Sequence, residues 1–478
     1  MPRQETTETN QDRPLRLERR NSGQEDLSER PAAAGERPLQ GVRAFFFAAL
    51  VVGSFSFPSL APPAQAAAVR TLTLEESLAI AMDQNRDIQK ARAYGELVVG
   101  RYLEERAAAL PSLSLNASAG WARDDSQSAL MGGIDATRTS GADLRLTQTL
   151  FSWGKIGAAI RGAKEGLKTA DDQLRLFQQA AARDTTVAFY DTLLAKELRA
   201  LALSNLQQKE RHQREAGKKL SAGIATDYDL LAAQVAVDNA RPELIRSENR
   251  IRTAKERLRL VLALNGGEIE VAGSLGSVPV SLPPFEESLA TARRMRPELS
   301  ELRHRVGIYQ ELVQIAAAEN KPQLDLKGGA GWHQLEAAGR SWDGPAWDIG
   351  LYLSFPFFDG FRTRGKVQQA KSDLRTRELE QAQQLDTVSL EVRNAGFGVQ
   401  EAAEIVKALT GTVQQAERLL AMAEQGYQLG VKIRLEVEDA EANLVQAKSN
   451  LAQARHDYLV SMVNLAWATG MLGEQQVD

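Results

Sequence analysis

The 478-residue chain contains no cysteine, which excludes disulfides, thiolate metal sites, a cysteine nucleophile and a lipidated N-terminal cysteine. Its formal net charge is only −4, so charge gives no reason to expect a nucleic-acid partner. No run reaches the roughly 20 apolar residues that a membrane-spanning helix needs. The four histidines lack metal-ligand spacing, and no motif combines a nucleophile, a base and an orienting group. We therefore expect no enzyme activity and no metal or other cofactor, with the histidines on surfaces or helix faces.

One shorter apolar run, FFFAALVVGSFSF, stands near the start at residues 45–57. Its length of about 13 residues suits the apolar region of a signal peptide, and Ala64-Gln65-Ala66 behind it fits a cleavage site. The residues before the run are polar and rich in arginine and acids, which predicts disorder. We interpret residues 1–68 as a disordered lead plus a signal peptide of an exported protein. Our hypothesis is that the true translation start lies closer to Arg43.

The rest of the chain repeats itself. EESLAIAMDQNRDIQ returns as EESLATARRMRPELS, and LPSLSLNASAGW returns as KPQLDLKGGAGW. Further along, LSAGIATDYDLLAAQ aligns with YQLGVKIRLEVEDAE when Gly223 meets Gly430. Each half reads as a helix, two alternating strands around a polar loop, and two long helices broken at a glycine. The boundaries that we expect are a first repeat at 69–265, a linker at 266–284, a second repeat at 285–470 and a short tail at 471–478.

The strands show apolar and polar residues in alternation. The clearest runs extend from Leu113 to Trp121 and from Trp347 to Phe355, about ten positions each, which is the length of a tilted membrane strand. Aromatic residues at their ends suit a membrane interface. The segments ARDDSQSALMGGIDATRTSG and HQLEAAGRSWDGP between the strands look like solvent-facing loops. Alternation alone is equally consistent with a half-buried sheet in a soluble protein.

If the strands span a membrane, four strands per chain are too few for one chain alone. The smallest membrane barrels need about eight strands, so one chain cannot close a barrel. An open sheet edge in lipid leaves backbone groups unpaired at a cost of several kcal/mol each. If these strands span a membrane, the protein must be an oligomer.

The helices show sustained heptad spacing, which indicates coiled-coil packing through small alanines. One segment, from Lys155 to Gly217, corresponds to roughly 95 Å of helix. Pro242 interrupts another, where we expect a kink or a tolerated loss of one hydrogen bond. The apolar stripes are Ala402, Val406, Leu409, Val413, Ala416, Leu420 and Ala423; Ala440, Leu444, Ala447, Leu451, Ala454 and Tyr458; and Ala233, Val237, Ala240, Leu244, Ser247, Ile251, Ala254, Leu258 and Val261.

An exported chain with two halves, each pairing two short strands with two very long heptad helices, resembles the TolC family of outer-membrane efflux and secretion channels. The resemblance extends from LTLEESLAIAMDQN to YLVSMVNLAWATG. It implies a mainly α fold with a β-barrel portion. Three chains would form a 12-stranded outer-membrane barrel, with four strands from each, continued by a long periplasmic α-helical coiled-coil tunnel. The absence of cysteine favours the non-lipidated branch of the family.

The same resemblance implies a function and partners. The protein would be the outer-membrane exit duct of a tripartite efflux pump or a type I secretion system. Its partners would be outer-membrane lipid, a periplasmic adaptor and an inner-membrane transporter of the RND, ABC or MFS type. A rival interpretation that the residues leave open is a soluble periplasmic coiled-coil scaffold or adaptor, with the strands in a small soluble sheet.

The resemblance also assigns roles at the two turns between long helices, which form the periplasmic tip of the tunnel. Gly223 and Gly430 would mark the turns and contact the adaptor. Asp229 would pair with Tyr427 and Lys432 to hold the tip closed. Lysine stands where the family pattern has arginine, and because it lacks the two-pronged guanidinium, its link to the aspartate should be looser.

Two acids after the second turn would line the constriction. Glu436, which stands where the family has aspartate, and Asp439 are three residues apart and share a helix face. Threefold repetition would place carboxylate rings around one pore, which favours cations. The alternative is a solvated acidic helix start, which the helix dipole favours. We expect Glu438 and Glu441 on a solvated face.

Overall fold

A computed structural model of the chain describes residues 70–123, 136–276, 282–337 and 340–472. The expected lead and signal peptide at 1–68 lie outside these residues, as does most of the tail. The helices are α1 (Leu74–Gln84), α2 (Arg86–Ala107), α3 (Lys155–Ser221), α4 (Asp227–Val261), α5 (Phe285–Met295), α6 (Pro297–Ala317), α7 (Arg362–Gln428) and α8 (Arg434–Thr469). The strands are β1 (Arg70–Leu72), β2 (Ser112–Ala122), β3 (Thr137–Phe151), β4 (Ile269–Val271), β5 (Gln323–Ala337) and β6 (Arg340–Ser354).

Each repeat begins with two helices where the sequence predicted one. In the first repeat the break falls at Asn85, whose side-chain oxygen accepts from the backbone N–H groups of Asp87 and Ile88 and so starts α2. Its amide nitrogen donates to the carbonyl oxygen of Val261 at 3.0 Å, which ties the break to α4. In the second repeat Pro297 occupies the first turn of α6, where a missing N–H costs nothing.

The long strands form one antiparallel sheet in the order β2-β3-β5-β6, so the hairpins of the two repeats lie side by side. The register gives the sheet two different faces. One face is apolar and carries Leu113, Leu115, Ala117, Leu144, Leu146, Leu324, Leu326, Ala330, Trp332, Trp347, Ile349, Leu351 and Leu353. The other is polar and carries Ser114, Asn116, Ser118, Asp143, Arg145, Lys327, His333 and Asp348.

The strands are longer than the alternation predicted. β3, β5 and β6 have 15 residues each, about 50 Å of chain when extended. The segment HQLEAAGRSWDGP, predicted as a loop, instead lies mostly within β5 and β6. His333 pairs with Gly344, and Ala337 pairs with Arg340. The loop prediction was wrong because ladder hydrogen bonds continue through polar residues once the register is set.

The long helices confirm the heptad prediction. α3 and α7 have 67 residues each, about 100 Å. α3 packs along α4 and α7 along α8, while α3 and α8 connect the two pairs. Every member of the stripe on α7 is buried or half-buried, and α4 continues through Pro242. Among the described residues, no helix has an apolar stretch long enough to cross a membrane.

The expected linker at 266–284 contributes to the core. Its strand β4 pairs in parallel with β1, and both pack against α3 and α4. Leu72, Val271, Leu258 and Leu262 are almost fully buried in this cluster. These residues form an ordinary apolar core.

Candidate functional site

The two turns between long helices have the same backbone structure. α3 ends before Gly223 and α7 ends before Gly430, and these glycines have φ values of +74° and +73°. In the first turn the N–H of Ile224 donates to the carbonyl of Lys219, and in the second the N–H of Val431 donates to that of Gly426. This six-to-one bond around a left-handed glycine is the Schellman motif, which satisfies the last carbonyls of a helix.

Asp229 and Glu436 hold equivalent positions after the two turns, and each caps the helix that follows. Asp229 accepts from the backbone N–H and the hydroxyl of Thr226, both at 2.8 Å. Glu436 accepts from the backbone N–H of Ile433 at 3.1 Å. The Thr226 N–H is the main reason that the pKa of Asp229 lies below its usual range, and the charge of Arg434 contributes. Both carboxylates therefore have a structural role at the helix start.

Lys432 points back onto its own hairpin. Its Nζ donates to Glu436 at 2.5 Å, and this bond is the largest cause of the lowered pKa of Glu436. Its aliphatic chain lies across Gly426, where an added Cβ would stand 2.8 Å from the Lys432 Cδ. The predicted gate cation is thus engaged within the turn.

Tyr427 contacts a cation of the other helical hairpin. Lys219 of α3 donates to its hydroxyl oxygen at 3.2 Å and lies 5.3 Å from its ring centroid. Arg434, the first residue of α8, lines the same cleft as Tyr427 and donates from Nε to Glu438 at 3.0 Å. The hydrogen bond from Lys219 is the largest cause that lowers the pKa of Tyr427. A cleft of about 340 Å³ opens beside the tyrosine and Arg434.

The residues predicted for the gate therefore have different partners. Among the described contacts, no hydrogen bond or ion pair joins Asp229 to Tyr427 or Lys432 within the chain. The proposed link between Asp229 and the other two stays a prediction. Sequence reasoning missed Lys219 and Arg434, although Arg434 stands four residues before Glu438, a spacing that signals an ion pair on a helix.

The acidic residues after the second turn differ in how far their side chains are buried. Glu436 and Asp439 are exposed, as residues that line a channel must be. Glu438 is half-buried against Arg434. Their assignment as pore-lining rings requires neighbouring chains and stays a prediction.

Glu441 contradicts the expectation of a solvated face, since the residue is only 2% exposed. It accepts from Gln208 at 2.5 Å, from Lys209 at 2.9 Å and from His212 at 2.6 Å, all on α3. Burial alone would raise the pKa of the Glu441 carboxyl, but the bonds from His212 and Lys209 outweigh burial and lower it to about 2. The prediction was wrong because nothing local reveals that α3 covers this position of α8.

The helix-borne histidines follow the same pattern, each pairing with a carboxylate on a neighbouring helix. His304 of α6 lies 2.7 Å from Glu165 of α3, and His456 of α8 lies 2.9 Å from Asp191 of α3. Burial opposes the charged form of His456, but the bond to Asp191 prevails and raises its pKa. The described residues contain no group of three or more acids and histidines placed to hold a metal ion.

Comparisons with known proteins agree with this architecture. The family model described as outer membrane efflux protein matches residues 78–264 and 289–471, one match for each repeat. Outer membrane protein TolC of Escherichia coli K12 is 24% identical, with 82% of this chain and 81% of TolC covered. The alkaline protease secretion protein AprF of Pseudomonas aeruginosa is 25% identical over 78% and 79% of the two chains. The open-state structure of the outer membrane channel MtrE of Neisseria gonorrhoeae has the same fold, with a TM-score of 0.71, 18% identity, and coverage of 83% of this chain and 89% of that chain.

Replacing the turn glycines should destabilise the tip. We expect Gly223→Ala and Gly430→Ala each to cost about 1 kcal/mol, because an L-residue is strained at positive φ. The measurement is the thermal unfolding midpoint of the purified protein. Gly411→Ala in the interior of α7, where an added Cβ meets nothing within 4 Å, is the control and should stabilise slightly. Turn variants that unfold like the native protein would contradict the turn geometry.

The buried carboxylate predicts a pH dependence with a definite sign. The pKa of Glu441 falls from 4.5 to about 2 on folding, so it should contribute on the order of 3 kcal/mol above pH 5. This contribution should disappear as the pH falls from 5 to 2. Glu441→Gln should therefore lower the unfolding midpoint at pH 7 and converge with the native protein near pH 2.

Glu417→Gln is the matched control, since Glu417 forms an exposed ion pair with Lys448 at 3.0 Å. Exposed ion pairs contribute little to stability, so we expect at most a small change in the unfolding midpoint of Glu417→Gln. If Glu441→Gln lowered the unfolding midpoint at pH 7 as little as Glu417→Gln does, this would contradict the stabilising role of the buried Glu441 cluster.

Proposed function

Since the chain belongs to the outer membrane efflux protein family, we propose that it is the outer-membrane exit duct through which a periplasmic adaptor and an inner-membrane transporter deliver substrates to the cell exterior. The family is one of channel and transport proteins, not of enzymes. The observation that carries the proposal is a sheet with one continuous apolar face, placed directly before two helices of about 100 Å.

The apolar face supports contact with lipid. Leu115, Trp347 and Ile349 are 74%, 78% and 68% exposed in the single chain. The strands of this sheet make their extensive contacts with one another, and no described helix packs broadly across them. A soluble sheet would need such a cover, because large contiguous apolar surfaces are rare on soluble proteins. This argues against the soluble scaffold or adaptor.

The sheet edges support an oligomer. β2 and β6 each have one neighbour in the described chain, so each leaves a row of backbone groups unpaired. Lipid does not tolerate such edges, and copies of the chain can pair β6 of one with β2 of the next. Three copies of four strands give the 12-stranded barrel implied by the family resemblance. The polar face would then line a water-filled lumen.

The helices support the same assembly. α7 carries a second set of apolar side chains that stay exposed in the single chain. Because α7 already packs along α8, a second row of exposed apolar side chains indicates that another helix covers it in the assembly. The residues are Leu390, Phe397, Ile405, Leu419 and Met422.

The position of the tip supports a periplasmic adaptor as a partner. The turns at Gly223 and Gly430 lie about 100 Å of helix away from the strands, so they reach into the periplasm and present themselves to an adaptor. The relatives include a secretion protein and an efflux protein, so RND, ABC and MFS-type transporters all stay candidate pumps. The exported substrate is set by that pump.

Two measurements test the proposed function. Sucrose-gradient fractionation should place the protein with the outer membrane, and the detergent-extracted protein should form channels in planar lipid bilayers. Recovery in the soluble periplasm, without channels, would overturn the duct in favour of the scaffold.

The lipid-facing side of the sheet gives a prediction for assembly. Ile349→Arg should cost about 2–4 kcal/mol, because its charge would lie within the bilayer. Asn116→Arg, on the polar face, is the control and should be tolerated. The readout is the amount of heat-resistant oligomer in outer-membrane fractions. Equal losses for both variants would contradict the assignment of the two faces.

The exposed acids give a prediction for conduction. Asp439→Asn should weaken channel block by multivalent cations, because it removes a ring of carboxylates. Glu436→Gln should have a smaller effect, since Lys432 already offsets the charge of Glu436 at 2.5 Å. Unchanged block in the Asp439→Asn channel would contradict its place in the pore.

A further inference from the structure

We propose that His456 is a proton-dependent link between the two helical hairpins of the chain, so that acid holds the hairpins together and alkali loosens them. One hairpin consists of α3 and α4, and the other consists of α7 and α8. The inference rests on the proposed channel function and adds a positioning residue to it, because hairpins that separate more easily allow the tunnel to open more easily.

The ring of His456 lies between two carboxylates. Its Nε2 is 2.9 Å from Oδ1 of Asp191 on α3, and its Nδ1 is 3.0 Å from Oδ1 of Asp457 on α8 itself. A neutral imidazole carries a hydrogen on only one ring nitrogen, so one of these contacts would bring a lone pair against a carboxylate oxygen. Only the imidazolium donates to both. The side chain is 10% exposed, so little water reaches the ring to replace a lost contact.

The charges around the ring balance only when His456 is protonated. The other oxygen of Asp191, Oδ2, is 3.4 Å from Nη1 of Arg257 on α4, and Asp457 also accepts from the amide of Gln453 at 2.8 Å. Two cations then face two carboxylates, whereas a neutral ring leaves one excess negative charge. In the described part of the chain, α7 contributes no hydrogen bond or ion pair to these charged groups. Burial opposes the charged ring, but the bonds to Asp191 and Asp457 outweigh burial and raise the pKa of His456.

The contact with Asp191 crosses from one hairpin to the other. His456 and Asp457 belong to α8, whereas Asp191 belongs to α3 and Arg257 to α4. The four groups therefore form a row of alternating charges over three helices. When the proton leaves His456, the bond between α8 and α3 is weakened, while the pair of Asp191 with Arg257 remains within its own hairpin.

The other histidines on helices do not make the hairpin contact sensitive in this way. His212 of α3 also reaches α8, but its partner Glu441 binds Lys209 as well, at 2.9 Å. A lysine keeps its charge in the range where a histidine loses its proton. His304 belongs to α6, outside the two hairpins. His456 thus forms the one described ion pair between α3 and α8 that depends on a histidine alone.

The raised pKa of His456 fixes the direction of the pH dependence. A histidine whose pKa rises on folding stabilises the folded contact in full below its ordinary pKa of about 6.5. The stabilisation is lost as the pH rises through the raised value. The link should therefore be complete near pH 6 and weak in alkaline medium.

The test measures the pH profile of single channels in planar lipid bilayers, from about pH 6 to about pH 8.5. In the native protein the ratio of open to closed channels should rise with pH by roughly tenfold, the effect of losing one charge-assisted hydrogen bond. His456→Gln, which has no charge to lose, should open at pH 6 as readily as the native protein does at pH 8.5, with no further rise. Asp191→Asn removes the carboxylate on the other hairpin and should behave in the same way.

His304→Gln is the matched control, because His304 pairs with Glu165 at 2.7 Å outside the contact between α3 and α8. It should keep the native pH profile. His456→Lys retains a positive charge throughout this range and should stay as closed at pH 8.5 as the native protein is at pH 6. The heat resistance of the oligomer at pH 6 separates opening from unfolding, and where His456→Gln lost it, the profile of Asp191→Asn would decide.

A native channel whose opening does not change between these pH values would overturn the inference. A pH profile that persists in both His456→Gln and Asp191→Asn would overturn it too, as would one that His304→Gln abolishes just as completely. Absence of channels from the native protein would overturn the proposed function instead, which is a different result.

Discussion

The unpaired edges of the four-stranded sheet are the constraint on which the rest of the structure depends. β2 and β6 end the sheet, and one of its faces is apolar from edge to edge. Such a sheet cannot stand alone in water because of the apolar face, or in lipid because of the unpaired backbone groups. Closure with other copies removes both costs. In the proposed duct of three chains, closure also places the polar face around a lumen.

The long helices connect the sheet to the turns at the tip. α3 and α7 follow β3 and β6 within a few residues, and each continues unbroken for 67 residues. Because such long helices are rigid, the tip can change its arrangement mainly through the contacts between the two hairpins. Those contacts are polar near the tip: the buried Glu441 of α8 accepts from Lys209 of α3, and Lys219 of α3 donates to the hydroxyl of Tyr427 on α7. Buried ionic contacts are strongly destabilised when one partner is lost, so a change at one residue can alter the position of a whole hairpin.

Much of the fold could be predicted from periodic patterns. Alternation located the strands, heptads located the buried stripes, and the alignment of Gly223 with Gly430 identified two matching turns. The errors arose where long-range contacts decide the outcome. Ladder bonds extended β5 and β6 through a polar segment, β4 of the linker paired with β1 at the start of the first repeat, and α3 covered Glu441. Lys219 was missed for the same reason, because its partner Tyr427 is 208 residues away in the sequence and only folding brings the two together.

The stoichiometry of the membrane-extracted protein tests the central claim most directly. Native mass spectrometry of the protein, released intact from outer-membrane fractions in mild detergent, measures how many chains close the barrel. The closed sheet predicts a complex with the mass of three mature chains. A single chain, or a complex with a different number of chains, would contradict closure of a 12-stranded barrel from four strands per chain.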